Sequence, residues 1–177
     1  MTFCNGCAGI VRRMDELGRI VIPKELRRTL RIREGDEMEI FSDGETLLVR
    51  KYCRLESFVR TAEVVAKELA RKTCCEVLVV ASDKIVAAAG ERRKETQGKT
   101  VAKTLSDVLA EKRNVAFSVD GSYVVSDGIE IVADGVSASP VNTAGDVTGF
   151  IVCVGKGAVA YADFVILSAE ILGTVLV

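Results

Sequence analysis

At 177 residues, with 49% hydrophobic residues and a formal net charge of −1, the chain suits one medium domain or two small ones and is too apolar to be disordered. It has no histidine, which removes Ser-His-Asp triads, Cys-His pairs and histidine-containing zinc sites, so the expectation is a non-enzyme without a cofactor. Asp163 and Glu170 interrupt the apolar C-terminal YADFVILSAEILGTVLV, and MTFCNGC lacks the basic segment and apolar core of a secretory signal. The prediction is a cytoplasmic protein with no membrane partner, whose six cysteines are mostly reduced thiols.

Residues 1–7 read as a flexible tail. Its Cys4-x-x-Cys7 is half of a zinc-site or redox pattern, but the second pair that would make a zinc signal strong is missing. Residues 8–52 read as β-β-α-β-β. GIVRRMD alternates apolar and charged residues, Leu17-Gly18 suits a turn, and RIVI is a second strand. Pro23 opens a helix, where its missing N–H costs nothing, and Leu26 and Leu30 share one helical face. EMEIFSDGETLLVRK is a hairpin through Asp43-Gly44. So short a segment is marginal on one core, so hairpins from two chains are expected to share one.

Residues 53–72 carry a helical apolar stripe and read as an amphipathic connecting helix. Residues 73–177 follow as an α+β sheet domain. CEVLVVAS and KIVAAAG are strands around Ser82-Asp83, and TVAKTLSDVLAEK is a helix. Three short β-prone pieces come next, then a hairpin through TAGD and a terminal helix apolar over most of its surface. Such a helix should be buried on more than one side, which argues for a subunit interface. GKG at 155–157 lacks the Walker spacing and is not a phosphate loop. Tyr123, Ser137, Ser139 and Asn142 could line a pocket but read as ordinary loop and strand-edge positions; Cys74, Cys75 and Cys153 read as buried inert thiols.

The near-zero net charge hides an asymmetry. Residues 9–33 hold eight basic and three acidic residues, whereas 34–49 hold six acids and no base. On a two-fold surface the arginines would meet phosphates and base edges, Arg being suited to bidentate contact with guanine. They would equally serve as a solvated face, with surface pairs such as Glu25 with Arg28 or Arg27 with Glu34. Charge alone leaves both readings open.

The order of residues in GIVRRMDELGRIVIPKELRRTLRIREGD goes further. It closely resembles the N-terminal domain of the AbrB-like transition-state regulators, the SpoVT-AbrB domain, over about residues 8–52. The resemblance implies a swapped-hairpin β-barrel, an intertwined homodimer that binds double-stranded DNA. By position, Arg12, Arg13, Arg19, Arg27 and Arg28 match the family's DNA-contacting residues, with Arg31 and Lys24 beside that pattern. Residues 73–177 are similar to the GAF-like domain of the family's sporulation regulators, mainly in element order. This implies homotetramer assembly and a small-molecule effector. The implied function is nucleoid-associated regulation of sporulation or transition-state genes. The competing reading is an antitoxin-like, toxin-neutralising DNA-binding protein, since AbrB-like folds occur there too.

Overall fold

The structure is a computed structural model that describes residues 9–30, 32, 34–52 and 54–176. Arg31, Cys4 and Cys7 lie outside the described residues. Two compact units divide at Tyr52–Cys53.

The first unit contains helix α1 (Lys24–Thr29) and an antiparallel hairpin of β1 (Met38–Asp43) and β2 (Thr46–Lys51). Pro23 caps α1 from outside rather than forming its first residue, and the Arg27 N–H donates to the Pro23 carbonyl at 3.0 Å. In the hairpin Asp43 pairs with Thr46, so the loop is Gly44-Glu45, one residue later than the Asp-Gly pattern predicts. Ile40 lies opposite Val49 and Phe41 opposite Leu48.

The two strands expected in GIVRRMD and RIVI are not formed within the chain: residues 9–14 and 19–23 carry no regular structure. A strand needs a neighbour for its N–H and C=O groups, and these segments find none inside one chain. Side-chain burial agrees. Pro23 is the only buried residue among the described residues of this unit. Val11, Leu17, Ile20, Val21, Leu26, Leu30, Ile40 and Val49 are all exposed. One chain therefore supplies apolar surface to a core it does not close, and Leu26 and Leu30 have no interior to face within it.

The second unit is a three-layer α+β arrangement. Its sheet has the order β4-β3-β9-β8-β5, built from β3 (Glu76–Ala81), β4 (Lys84–Ala89), β5 (Val115–Ser118), β8 (Gly135–Thr143) and β9 (Asp146–Gly155). One face is covered by α2 (Arg54–Ser57), α3 (Val59–Thr73) and α6 (Ala162–Val175), burying Leu55, Ala66, Leu69, Val165, Ala169 and Leu172 against Val77, Val79 and Ile151. The other face carries α5 (Lys103–Leu109) and the small hairpin of β6 (Ser122–Ser126) and β7 (Ile129–Val132), with Leu105, Val125 and Ile131 against Leu78, Val80 and Val152. A short α4 (Arg93–Thr96) follows β4.

The expected connecting helix is broken at Phe58 and its longer part packs on the sheet as a layer of this unit. The terminal helix begins as a 3-10 turn, Ala158–Tyr161. Ala158–Val175 is apolar and long enough to cross a membrane by composition alone, yet Val165, Ala169 and Leu172 are buried against the sheet, the place of a core helix. Phe164, Leu167, Ile171 and Val175 form a half-exposed stripe on its other side, at helical spacing.

Candidate nucleic-acid interface

The basic residues come from three local structures. Arg12 and Arg13 lie in the first segment, Arg19 closes a tight loop, and Lys24, Arg27 and Arg28 project from α1. All are exposed. The ion pairs anticipated between Glu25 and Arg28 or Arg27 and Glu34 do not form. Among the described residues Arg12, Arg13, Lys24, Arg27 and Arg28 have no acidic partner, whereas Arg50 pairs with Glu39 and Lys51 with Asp36, both at 2.9 Å. Two acids of the 34–49 block thus pair with the cations at the end of β2, and the five basic residues named above are left without an acidic partner among the described residues.

Arg19 is the exception, and it shows a residue that the charge pattern does not single out. Asp15 Oδ1 accepts the N–H of Leu17 at 3.0 Å and of Arg19 at 2.8 Å, while Oδ2 accepts Arg19 Nε at 2.6 Å. The Asp15 N–H donates to the Arg19 carbonyl at 3.1 Å, and Gly18 turns the chain at φ +74°, a conformation that costs other residues about 1–2 kcal/mol. The bond from the Arg19 backbone, then that from its side chain, lowers the Asp15 carboxyl below its ordinary value. Asp15 is therefore a positioning residue. It holds the Arg19 stem by Nε, and the two terminal guanidinium nitrogens have no hydrogen-bond partner among the described residues, a geometry suited to bidentate recognition. The visible signal was Asp15-x-x-Gly18-Arg19, an acid that bonds its own loop rather than a surface charge.

In the second unit the four polar residues noted in the sequence do not converge. Tyr123 packs edge-on to Phe117 at 5.8 Å on the α5 side, while Ser137 and Ser139 alternate onto the opposite face of β8 and Asn142 is exposed. Cys75 and Cys153 are buried as expected, but Cys74 is exposed, because it ends α3 in the left-handed conformation at φ 55°.

A buried carboxyl stands out instead. Glu76 is 8% exposed at the start of β3; its Oε1 accepts the Arg92 N–H at 3.0 Å and its Oε2 has no hydrogen-bond partner among the described residues. Gly90 makes this possible, since a Cβ there would run into the carboxyl. Burial raises the Glu76 pKa above 4.5, opposed by the backbone N–H groups of Arg92 and Glu91. An acid with a raised folded-state pKa is fully tolerated below its unfolded value and costs stability as pH rises through the folded one. Glu76→Gln should accordingly raise the thermal midpoint at pH 8, with the gain vanishing below pH 4.5. Differential scanning fluorimetry across that range checks it.

Comparisons with known proteins follow the same division. Residues 11–53 match the family described as antidote-toxin recognition MazE, bacterial antitoxin, and residues 57–176 match that described as stage V sporulation protein T C-terminal, transcription factor. Stage V sporulation protein T of Bacillus subtilis is 37% identical over 150 residues, covering 84% of each chain. The transition state regulatory protein AbrB of the same organism is 61% identical over 44 residues, which are 25% of this chain and 46% of that one. Among solved structures, type II free methionine-R-sulfoxide reductase from Thermoplasma acidophilum superposes with TM-score 0.52 at 16% identity, covering 69% of this chain and 94% of that one, a likeness of fold alone. The matches over both units place the chain among two-unit DNA-binding transcription regulators. The chain belongs to the stage V sporulation protein T family.

Proposed function

We propose that this chain is a sequence-specific DNA-binding transcription regulator that acts as a homodimer through its first unit. One observation carries the reading: exposed basic residues, of which Arg12, Arg13, Lys24, Arg27 and Arg28 have no acidic partner among the described residues, sit on a unit that has no closed core of its own. Completing the core with a second copy gives residues 9–14 and 19–23 their missing strand partners, as in a swapped-hairpin barrel. It also duplicates Arg12, Arg13, Arg19, Lys24, Arg27 and Arg28 about a two-fold axis, matched to paired half-sites. Arg31 belongs to the same proposed surface. Sporulation or transition-state genes are the proposed targets, on the nucleoid in the cytoplasm.

The half-exposed α6 stripe serves as a second self-association face, taking the dimer to a tetramer. The second unit is read as GAF-like, a module for assembly and effector sensing. The antitoxin reading has the match over residues 11–53 in its favour. Against it, a three-layer folded unit, rather than an extended toxin-wrapping segment, follows the first unit.

Fluorescence anisotropy with labelled promoter duplex tests the reading. With about ten cations per dimer on phosphates, affinity should fall roughly a thousandfold or more between 50 and 200 mM salt. Affinity that is independent of salt would exclude an arginine–phosphate interface.

A further inference from the structure

A cavity of the second unit, about 910 Å³, opens where the end of α3, the start of β3, the β4–α4 loop, β7 and the end of β9 meet. That volume is in the range of small-molecule pockets. Glu76 lines it, bringing the one carboxylate oxygen that is buried without a partner among the described residues. The free oxygen lies over the bare Cα of Gly90, and the last side-chain torsion of glutamate is broad, so a small turn of the carboxyl presents that oxygen to the cavity. An ionised carboxylate only accepts hydrogen bonds, so its complement is a donor, best a cationic one.

Four cations line the same cavity, and they are not equivalent. Arg71 is tied to Glu68 at 2.7 Å and Arg92 lies 3.6 Å from Glu95. Lys67 and Lys156 are exposed and have no acidic partner among the described residues. Glu91 and Glu130 line the cavity too, but neither pairs with Lys67 or Lys156 among the described residues, so the two ammonium groups can take an anion. A simple anion would leave the Glu76 oxygen unpartnered, and a simple amine would be repelled by the lysines. A molecule bearing both an ammonium and a carboxylate satisfies both ends.

We propose that this cavity binds amino-acid zwitterions, free amino acids or short peptides, with the ligand ammonium on Glu76 and its carboxylate on Lys67 and Lys156. The proposal rests on the reading of the second unit as an effector-sensing module and names the ligand class it takes.

Isothermal titration of the full chain tests it, using the standard amino acids and a dipeptide set. The matched 2-oxo acids, which lack the amine, and the matched amines, which lack the carboxylate, serve as controls. At least one zwitterion should bind with Kd below about 1 mM, and both controls should be weaker by about tenfold or more. Glu76→Gln keeps the shape and the acceptor for the Arg92 N–H, and should weaken binding by about tenfold, as should the surface pair Lys67→Ala with Lys156→Ala. The proposal is overturned if no zwitterion binds, if a 2-oxo acid binds equally, or if both variants bind as the parent does. Binding of another metabolite class that Glu76→Gln leaves unchanged would remove this site and keep the sensing role. Zwitterion binding that leaves the DNA affinity read by anisotropy unchanged would keep the site and remove the effector-sensing role.

Discussion

Replacing Arg19 and Arg27 together with alanine should abolish retardation of promoter DNA while leaving the oligomer mass unchanged. Arg19 is held by Asp15 through Nε at 2.6 Å, and among the described residues its terminal nitrogens have no hydrogen-bond partner and Arg27, exposed on α1, has no acidic partner. A good bidentate contact is worth about 1–3 kcal/mol, and two-fold symmetry doubles each loss, so affinity should drop by about a thousandfold or more. Part of that loss is electrostatic, so the salt slope should fall by about one for each phosphate contact removed. Neither side chain packs on a described core, so analytical ultracentrifugation should report the parental mass. DNA binding that survives the double substitution with its salt slope intact would place the interface elsewhere.

The second large effect concerns Ile20→Asp. In a single chain Ile20 is 50% exposed, and a surface substitution of that kind changes stability by no more than about 0.5 kcal/mol. If two chains share one core, the same change buries an unpaired carboxylate twice, at several kcal/mol for each copy. The first unit should then unfold, and DNA binding should disappear with it. Limited proteolysis should cut within residues 9–52 and spare 54–176, whose own core is closed by Leu78, Ile85, Leu105 and Ile151. An unchanged proteolysis pattern and intact DNA binding would rule out the shared core. The contrast is useful because the two readings differ in sign of interest at one residue: harmless on a surface, disabling in an interface.

Much of the second unit was legible in advance because its signals are local. Runs such as CEVLVVAS and the turns at Ser82-Asp83 and Ala144-Gly145 specify strands and hairpins over a few residues, and the structure forms them as β3, β4, β8 and β9. The hairpin of the first unit was equally readable, with its loop shifted to Gly44-Glu45. Elsewhere the deciding interaction lies outside the local pattern. GIVRRMD and RIVI alternate as strands do, but alternation says which side chains share a face and not where a hydrogen-bonding neighbour is to be found. Phe58 breaks a helix whose apolar stripe runs on without interruption.

The arginine cluster shows the boundary most clearly. The amino-acid order alone determined that residues 9–33 are basic, that residues 34–49 are acidic, and that Gly18 and Pro23 mark a turn and a helix start, because these are properties of composition and neighbours. Only the tertiary structure decided that Asp36 and Glu39 pair with Lys51 and Arg50, that Arg12, Arg13, Arg27 and Arg28 have no acidic partner among the described residues, and that Asp15 orients Arg19. The same holds for Glu76, which looks like one more charge at a strand start until Gly90 and Arg92, more than a dozen residues away, close over it. Charge is written into the chain residue by residue. Whether a charge is paired, buried or free depends on which distant backbone folds against it.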